Sequence, residues 1–446
     1  MNFSKRILAA AFAALIIATA GYTQQVTTPD ISAQAASVTE FDVNGLKVIL
    51  RRRASAPTVA VGLFLRGGVR NLTDKTAGLE SLMLTSAIEA GQSYPRQAVR
   101  RELARTGSTL SASAGSDFSV VSLASTRENF DRTWKLFADV TMKPLFDAAD
   151  VNRVRDQMIS SLREQETVPD SALDNLEDKV IYAGHPYSVD PMGTPETLTA
   201  ITPAQLRDYH KKVMETSRLL LVVVGDVDAA DLKARIASTL GTLPKGTYTE
   251  TALPPLDFSK PSLDVVSRQL PTNYIKGDFA APSLNSPDYY PMRVAMSILA
   301  TRIFQEVRVK RQLSYAPNAD MDNMGANTAN IYVTAVDANQ AVDVMLKEIQ
   351  RIKGESINDE ELSGAAGEFL TNYYLKQQTN AAQAGDLARY ELIGGGWRNS
   401  FQFLNHIREV TPDAVRASAN KYMKNIRFVV IGDPAAINKT LFTAAE

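Results

Sequence analysis

An α+β fold made of two homologous lobes is what this sequence predicts, and three observations predict it. Two segments echo each other. In one, Ile201-Thr202-Pro203-Ala204-Gln205-Leu206 runs on to Met214 and then to Arg218-Leu219-Leu220-Leu221-Val222-Val223-Val224-Gly225-Asp226. In the other, Val410-Thr411-Pro412-Asp413-Ala414-Val415 runs on to Met423 and then to Arg427-Phe428-Val429-Val430-Ile431-Gly432-Asp433. Thr202 and Thr411 read as helix N-caps with proline at the first helical position. Each helix leads to an unbroken apolar run, the signature of a strand buried on both faces. The second observation is that strands and helices alternate in each half, but not in the strict order of a doubly wound sheet. The third is a proline-rich break: Pro244, Pro254, Pro255, Pro261 and Pro271 stand at a density that no regular helix tolerates.

These landmarks divide the chain into an N-terminal lobe at 38–240, a linker at 241–272 and a C-terminal lobe at 273–446. Apolar residues recur along the linker (Leu253, Leu256, Phe258, Val265, Val266), so it is expected to be ordered. In the first lobe, strands are expected at 45–50, 58–65, 110–114 and 118–124, and helices at 76–90, 96–106, 128–142 and 147–166. In the second lobe, 274–280 and 331–335 read as strands. The stretches 288–311, 339–353, 357–378 and 380–392 carry helical periodicity.

The N-terminus reads as an address rather than a fold. Lys5 and Arg6 precede an apolar run that ends at Ala18-Thr19-Ala20, the pattern of a secretory signal peptide over residues 1–20. That run is shorter than the roughly 20 residues a membrane span needs. Residues 21–37, with Gln24, Gln25, Thr27, Thr28 and Pro29, read as a disordered lead-in. The 446 residues hold no cysteine, which removes disulfides, thiolate metal sites and the lipid-bearing cysteine of a bacterial lipoprotein. The expectation is a periplasmic protein with no membrane anchor after signal cleavage. A net charge of −1 gives no footprint for nucleic acid. The three histidines, His185, His210 and His406, are far apart, so a protein-made zinc centre is not expected from this chain.

The segment Gly78-Leu79-Glu80-Ser81-Leu82-Met83-Leu84-Thr85 looks like a metal-site helix without its metal ligands. It resembles the G-x-x-H-x-x-E-H segment of the insulinase (pitrilysin-type) zinc peptidases. Ser81, Leu84 and Thr85 stand at the His, Glu and His positions. Ser161, on the helix before Pro169, stands where that family supplies a third ligand, a Glu. Gly184-His185-Pro186-Tyr187 and Gly193-Thr194 resemble a further segment of the same family. In Phe304-Gln305-Glu306-Val307-Arg308-Val309-Lys310-Arg311-Gln312-Leu313-Ser314-Tyr315, the spacing of Arg308 and Tyr315 resembles the family's late Arg/Tyr pair.

This likeness to the processing-peptidase branch implies a duplicated α/β-sandwich domain in a clamshell arrangement. It further implies a non-catalytic subunit of a heteromeric zinc metalloendopeptidase. This chain would bind no cofactor itself, and zinc would sit in a related partner subunit. Arg308 and Tyr315 would complete the partner's site over peptide or unfolded-protein substrates. A tyrosine hydroxyl aimed at the carbonyl oxygen, where negative charge builds, stabilises a transition state. The competing expectation is a structural or peptide-binding peptidase-like protein with no catalytic role.

The remaining polar landmarks read as structural. Glu80, Glu89 and Glu164 are expected on solvated helix faces, and His185 in a hydrogen-bonded turn. Gly394-Gly395-Gly396-Trp397 is expected as a helix C-cap turn, and Arg51-Arg52-Arg53 as a solvated strand end.

Overall fold

The computed structural model describes residues 31–444. The signal-peptide reading of 1–20 lies outside them, as does most of the lead-in. The part of the lead-in that is described corrects the expectation of disorder. Ile31–Ala36 forms a short helix, α1, and the Tyr373 hydroxyl donates to Gln34 Oε1 at 3.1 Å.

The first sheet holds β1 (Val38–Val43), β2 (Leu46–Arg52), β3 (Thr58–Arg66), β4 (Thr109–Ser113), β5 (Phe118–Thr126) and β6 (Leu219–Gly225). Their order is β1-β2-β6-β3-β5-β4. The second holds β7 (Ser262–Ser267), β8 (Asn273–Ala281), β9 (Asn318–Met321), β10 (Asn327–Ala335) and β11 (Arg427–Gly432), in the order β7-β11-β8-β10-β9. Setting β1 aside, the orders are the same strand for strand. β6 runs parallel to β2 and antiparallel to β3; β11 runs parallel to β7 and antiparallel to β8. The sequence echo is therefore a true duplication. Thr202 accepts from Gln205 N at 3.3 Å and Thr411 from Ala414 N at 3.2 Å, so both N-caps form as the residues predict.

The linker reading needs one correction. Residues 262–267, inside 241–272, are β7 and belong to the second sheet. Leu263 and Val265 pack on the second lobe's core, and that burial draws the end of the linker into the fold. Upstream of it, Leu253, Leu256 and Phe258 pack against Tyr182, Tyr187 and Val189.

In the first lobe the helices are α2 (Leu79–Ala87), α3 (Arg96–Thr106), α4 (Phe130–Met142), α5 (Ala148–Thr167), α6 (Pro169–Ile181), α7 (Pro195–Ala200), α8 (Pro203–Val213) and α9 (Ala229–Ala237). In the second they are α10 (Tyr289–Ile303), α11 (Ala338–Gly354), α12 (Asp359–Lys376), α13 (Asn380–Ile393), α14 (Asn399–Arg408), α15 (Pro412–Tyr422) and α16 (Lys439–Phe442). α10 continues as a π-helical segment over Phe304–Lys310. Among the described residues no helix is long and apolar enough to cross a membrane.

Each lobe lends a helix to the other. α13 lies on β3 and β6 of the first sheet, while α6 lies on β8 and β11 of the second. The first of these contacts is apolar: Ala384, Leu387, Ala388, Trp397 and Phe401 pack on Ile49, Phe64, Leu220, Val222 and Val224. Asp117 at the start of β5 adds a polar tie, accepting from Gly325 N at 2.9 Å and from the Tyr187 hydroxyl.

Two of the structural expectations hold. Gly394 caps α13, with Gly394 N and Gly396 N both donating to Tyr390 O at 2.9 Å. His185 Nε2 donates to Pro254 O at 3.1 Å, and its Nδ1 accepts from Tyr187 N at 3.1 Å. The arginine triplet is not simply solvated. Arg51 reaches Gln377 at 2.8 Å and lies 5.0 Å from the Phe401 ring centroid, and Arg53 reaches Asn380. These two cations fasten the end of β2 to the junction between α12 and α13.

Candidate functional site

α2 is buried along nearly its whole length, with Ser81, Leu82, Met83, Leu84, Ser86 and Ala87 all inside. Its polar residues Glu80, Ser81 and Ser86 are buried along with the apolar ones, so both faces of the helix meet protein. Its entry depends on two glycines. Gly78 and Gly193 both have φ +79°, and a Cβ on Gly78 would lie 2.8 Å from Met192 O and 2.9 Å from Gly193 Cα. Only glycine permits both that dihedral and that approach. The start of α2 is thereby held against the turn before α7.

The four degenerate positions do not converge as a ligand set. Ser81 is buried and its Oγ donates to Met192 Sδ at 3.4 Å. Leu84 is 3% exposed in the apolar core and offers no donor atom. Thr85 is half-buried and Ser161 is exposed on α5. A zinc site needs imidazole, carboxylate or thiolate. The residues present do not fit that ion. Among the described residues no group of three or more His, Cys, Asp or Glu is placed to hold a metal.

Glu80 overturns the expectation of a solvated carboxylate. It is 1% exposed, paired with Arg218 Nη2 at 2.7 Å, and accepts from Tyr209 OH at 2.7 Å and Ser119 Oγ at 2.5 Å. Arg218 also donates through Nε to Arg66 O at 3.1 Å. Burial pulls the Arg218 guanidinium down, but the Glu80 charge together with Tyr209 and Tyr248 more than offsets that and holds it above its usual range. Helical periodicity places Glu80 outside the apolar stripe. What it does not reveal is a cation arriving from 138 residues away at the head of β6. Arg218, set directly before six apolar residues, is the sequence signal for it. Glu89 is likewise not free, pairing with Arg96 at 3.2 Å and Arg153 at 2.5 Å. Glu164 is exposed as expected.

The second lobe presents a different kind of surface. After the π-helical segment, Leu313 N donates to Val307 O at 2.9 Å and Gln312 takes φ +54°, which turns the chain back. That reversal lays Tyr315 on Arg308, whose guanidinium carbon is 4.1 Å from the Tyr315 ring centroid and 5.0 Å from that of Phe304. A cation over an aromatic face is attracted by the ring quadrupole. Tyr315 is nonetheless 79% exposed, Val309 51% and Phe304 37%, so the pair stands at the surface.

The pair and the degenerate positions flank different clefts. Phe304 and Pro317 line one of about 580 Å3, walled by α10, β9, α12 and α13. Ala77, Leu162, Glu166 and Gly193 line another of about 490 Å3 between the lobes. No residue is common to the two. Arg308 and Tyr315 are brought to each other, but not into one cavity with the Ser81 and Ser161 regions.

A two-lobed peptidase-like architecture with duplicated sheets and an unsuitable donor set at the metal position is thus defined by the geometry. Residues 47–192 match the family model described as Insulinase (Peptidase family M16), and residues 200–367 match Peptidase M16 inactive domain. Between them these spans take in well over half of the chain, which belongs to peptidase family M16. Mitochondrial-processing peptidase subunit beta of Saccharomyces cerevisiae is 22% identical over 423 residues, covering 88% of this chain and 90% of that one. Cytochrome b-c1 complex subunit 1 of Bos taurus is 22% identical over 265 residues, 59% of this chain and 55% of that protein. A peptidase M16 inactive domain from Pseudomonas fluorescens superposes with a TM-score of 0.79 at 22% identity, covering 89% of this chain and 98% of that structure. The fold is that of the M16 two-lobed proteins.

Proposed function

We propose that this chain is the non-catalytic subunit of a heteromeric zinc endopeptidase of the periplasm. A related subunit would bring the metal and the general base. This chain would bring Arg308, Tyr315 and half of the chamber wall for a peptide or unfolded substrate. The observation that carries the reading is the exposed Arg308–Tyr315 stack. Tyr315 is largely exposed and Arg308 half-buried, and no described residues near them form a group that could hold a metal. The donor set at Ser81, Leu84, Thr85 and Ser161 supports the same division of labour. Arg308 keeps its charge at any working pH. Packed against the ring, it orients the tyrosine while leaving the hydroxyl free to donate to a carbonyl oxygen.

The test is reconstitution. The chain is produced alone and together with an M16 relative that retains H-x-x-E-H, and cleavage of a quenched peptide is followed. Alone, it is expected to be inactive. In the mixture, Tyr315→Phe is expected to lower kcat about 100–1,000-fold, the cost of losing one transition-state donor. An unchanged rate with Tyr315→Phe refutes the role given to the pair. Co-purification in a complex with no peptidase activity would instead favour a structural subunit; the cytochrome b-c1 relative is, by its name, a subunit of a complex.

A further inference from the structure

The two exchanged helices make pseudo-equivalent contacts of opposite chemistry. α13 meets the first sheet through an apolar cluster. α6 meets the second through an apolar end, Ala172 and Leu173 on Val429 and Ile431, followed by a cluster of charges that is buried except at Asp174. There, Lys276 of β8 bonds Asp174 and Glu177 of α6, both at 2.5 Å. Asp278, two residues along the same face of β8, is fully buried. Neither of its carboxyl oxygens has a hydrogen-bond partner among the described residues. Glu177, held by Lys276 from the same strand face at 2.5 Å, is the acid group whose charge bears most on it. Two carboxylates are acceptors only, so these two can bond only with a proton between them.

We propose that the contact of α6 with the second sheet is a proton-operated latch: it is closed while Glu177 and Asp278 share a proton, and it loosens when both ionise. The groups that face the pair fix the sign. From α6 come Asp174 and Asp178; from β8, Lys276; from the β9–β10 turn, Asp322, held by Thr328 at 2.9 Å. Arg427 of β11, opposite Asp278 in the ladder, is turned to Asp257 at 3.4 Å, and Tyr332 of β10 donates to Asp170. Lys276 thus stands against an excess of acid groups, and the surplus charge is avoided by holding a proton.

Burial raises Asp278 far above the usual carboxylate range and Glu177 above it. Burial and the Glu177 charge bring Asp178 to about 7. Carboxyls raised in the closed state bind more protons there than when the contact is open. The contact is therefore fully formed below the ordinary carboxyl range, near about pH 4, and weakens as pH rises through neutrality. Asp178, Lys276 and Asp322 also line the interlobe cleft that reaches Leu162 and Gly193. Loosening the latch widens that cleft beside the degenerate positions, whatever partner the chain has.

Hydrogen exchange on the whole chain tests this, with exchange times scaled to cancel intrinsic pH dependence. From about pH 5.5 to about pH 8.5, segments of α6 are expected to lose about tenfold or more in protection, the equivalent of one unit of linked titration. Segments of α13 are expected to keep theirs. Asp278→Asn supplies a neutral donor to Glu177 and should flatten the α6 profile, and Glu177→Gln should do the same. Equal pH behaviour of α6 and α13 in the unmodified protein overturns the latch without any variant. So does a variant that folds and retains the original α6 profile.

Discussion

Glu80→Leu is expected to be one of the most damaging single changes in the first lobe. The carboxylate receives Arg218, Tyr209 and Ser119, and both ends of the ion pair are buried, at 4% and 1% side-chain exposure. Leucine would leave a buried guanidinium with Arg66 O as its remaining backbone acceptor, and the Ser119 and Tyr209 hydroxyls without their carboxylate acceptor. Stranding one member of a buried pair costs about 3–5 kcal/mol. The double change Glu80→Leu/Arg218→Met removes both charges. It should be more stable than Glu80→Leu alone by about 2 kcal/mol or more, because an apolar replacement of a buried pair is often near neutral. The chain has two tryptophans, and Trp134 sits in the first lobe's core. In a Trp397→Phe background its fluorescence during urea unfolding reports that lobe specifically, which matters because a two-lobed chain need not unfold in one step. A single-variant loss below about 1 kcal/mol would put the pair in the range of exposed ion pairs and refute the assignment. Simple additivity of the two substitutions would refute it too.

Gly78→Ala is expected to destabilise the same transition by about 1–3 kcal/mol, since the new methyl meets backbone atoms at a dihedral alanine avoids. Urea titration followed through Trp134 measures it. His210 is held neutral by burial, with Nε2 donating to Thr141 O at 2.8 Å. Its folded value lies below the ordinary imidazole value of 6.5, so the unfolded chain binds the proton more readily. First-lobe stability should therefore fall as pH drops below about 6.5, and His210→Gln should flatten that limb in urea titrations at a series of pH values.

The architecture was largely legible because its signals are local. The cap-helix-strand echo at Thr202 and Thr411 and the apolar runs of β6 and β11 read directly as a duplication. Elements with little local signature were harder to see. β7 alternates weakly inside a proline-rich stretch and becomes a strand through its pairing with β11. α6 was missed because its apolar face is completed by a sheet about 100 residues later in the chain. At the site, the absence of ligands was legible from residue type alone. The fate of Glu80 was not, since burial of a carboxylate depends on a distant arginine. Lys276 and Asp278 did leave a trace. They alternate along a strand whose other face carries Ile275, Gly277 and Phe279, so one face of β8 had to meet something polar.

The exchange of α6 and α13 has a consequence for any attempt to divide the molecule. A half ending before β7 would carry α6 with nothing beneath it, and its own sheet would lack a roof. The other half would have the mirror defect. Neither piece could hide its greasy surface unaided, yet each holds the lid the other lacks, so two such pieces brought together would be drawn into mutual repair. The covalent tether therefore serves mainly to keep two interdependent units at high local concentration.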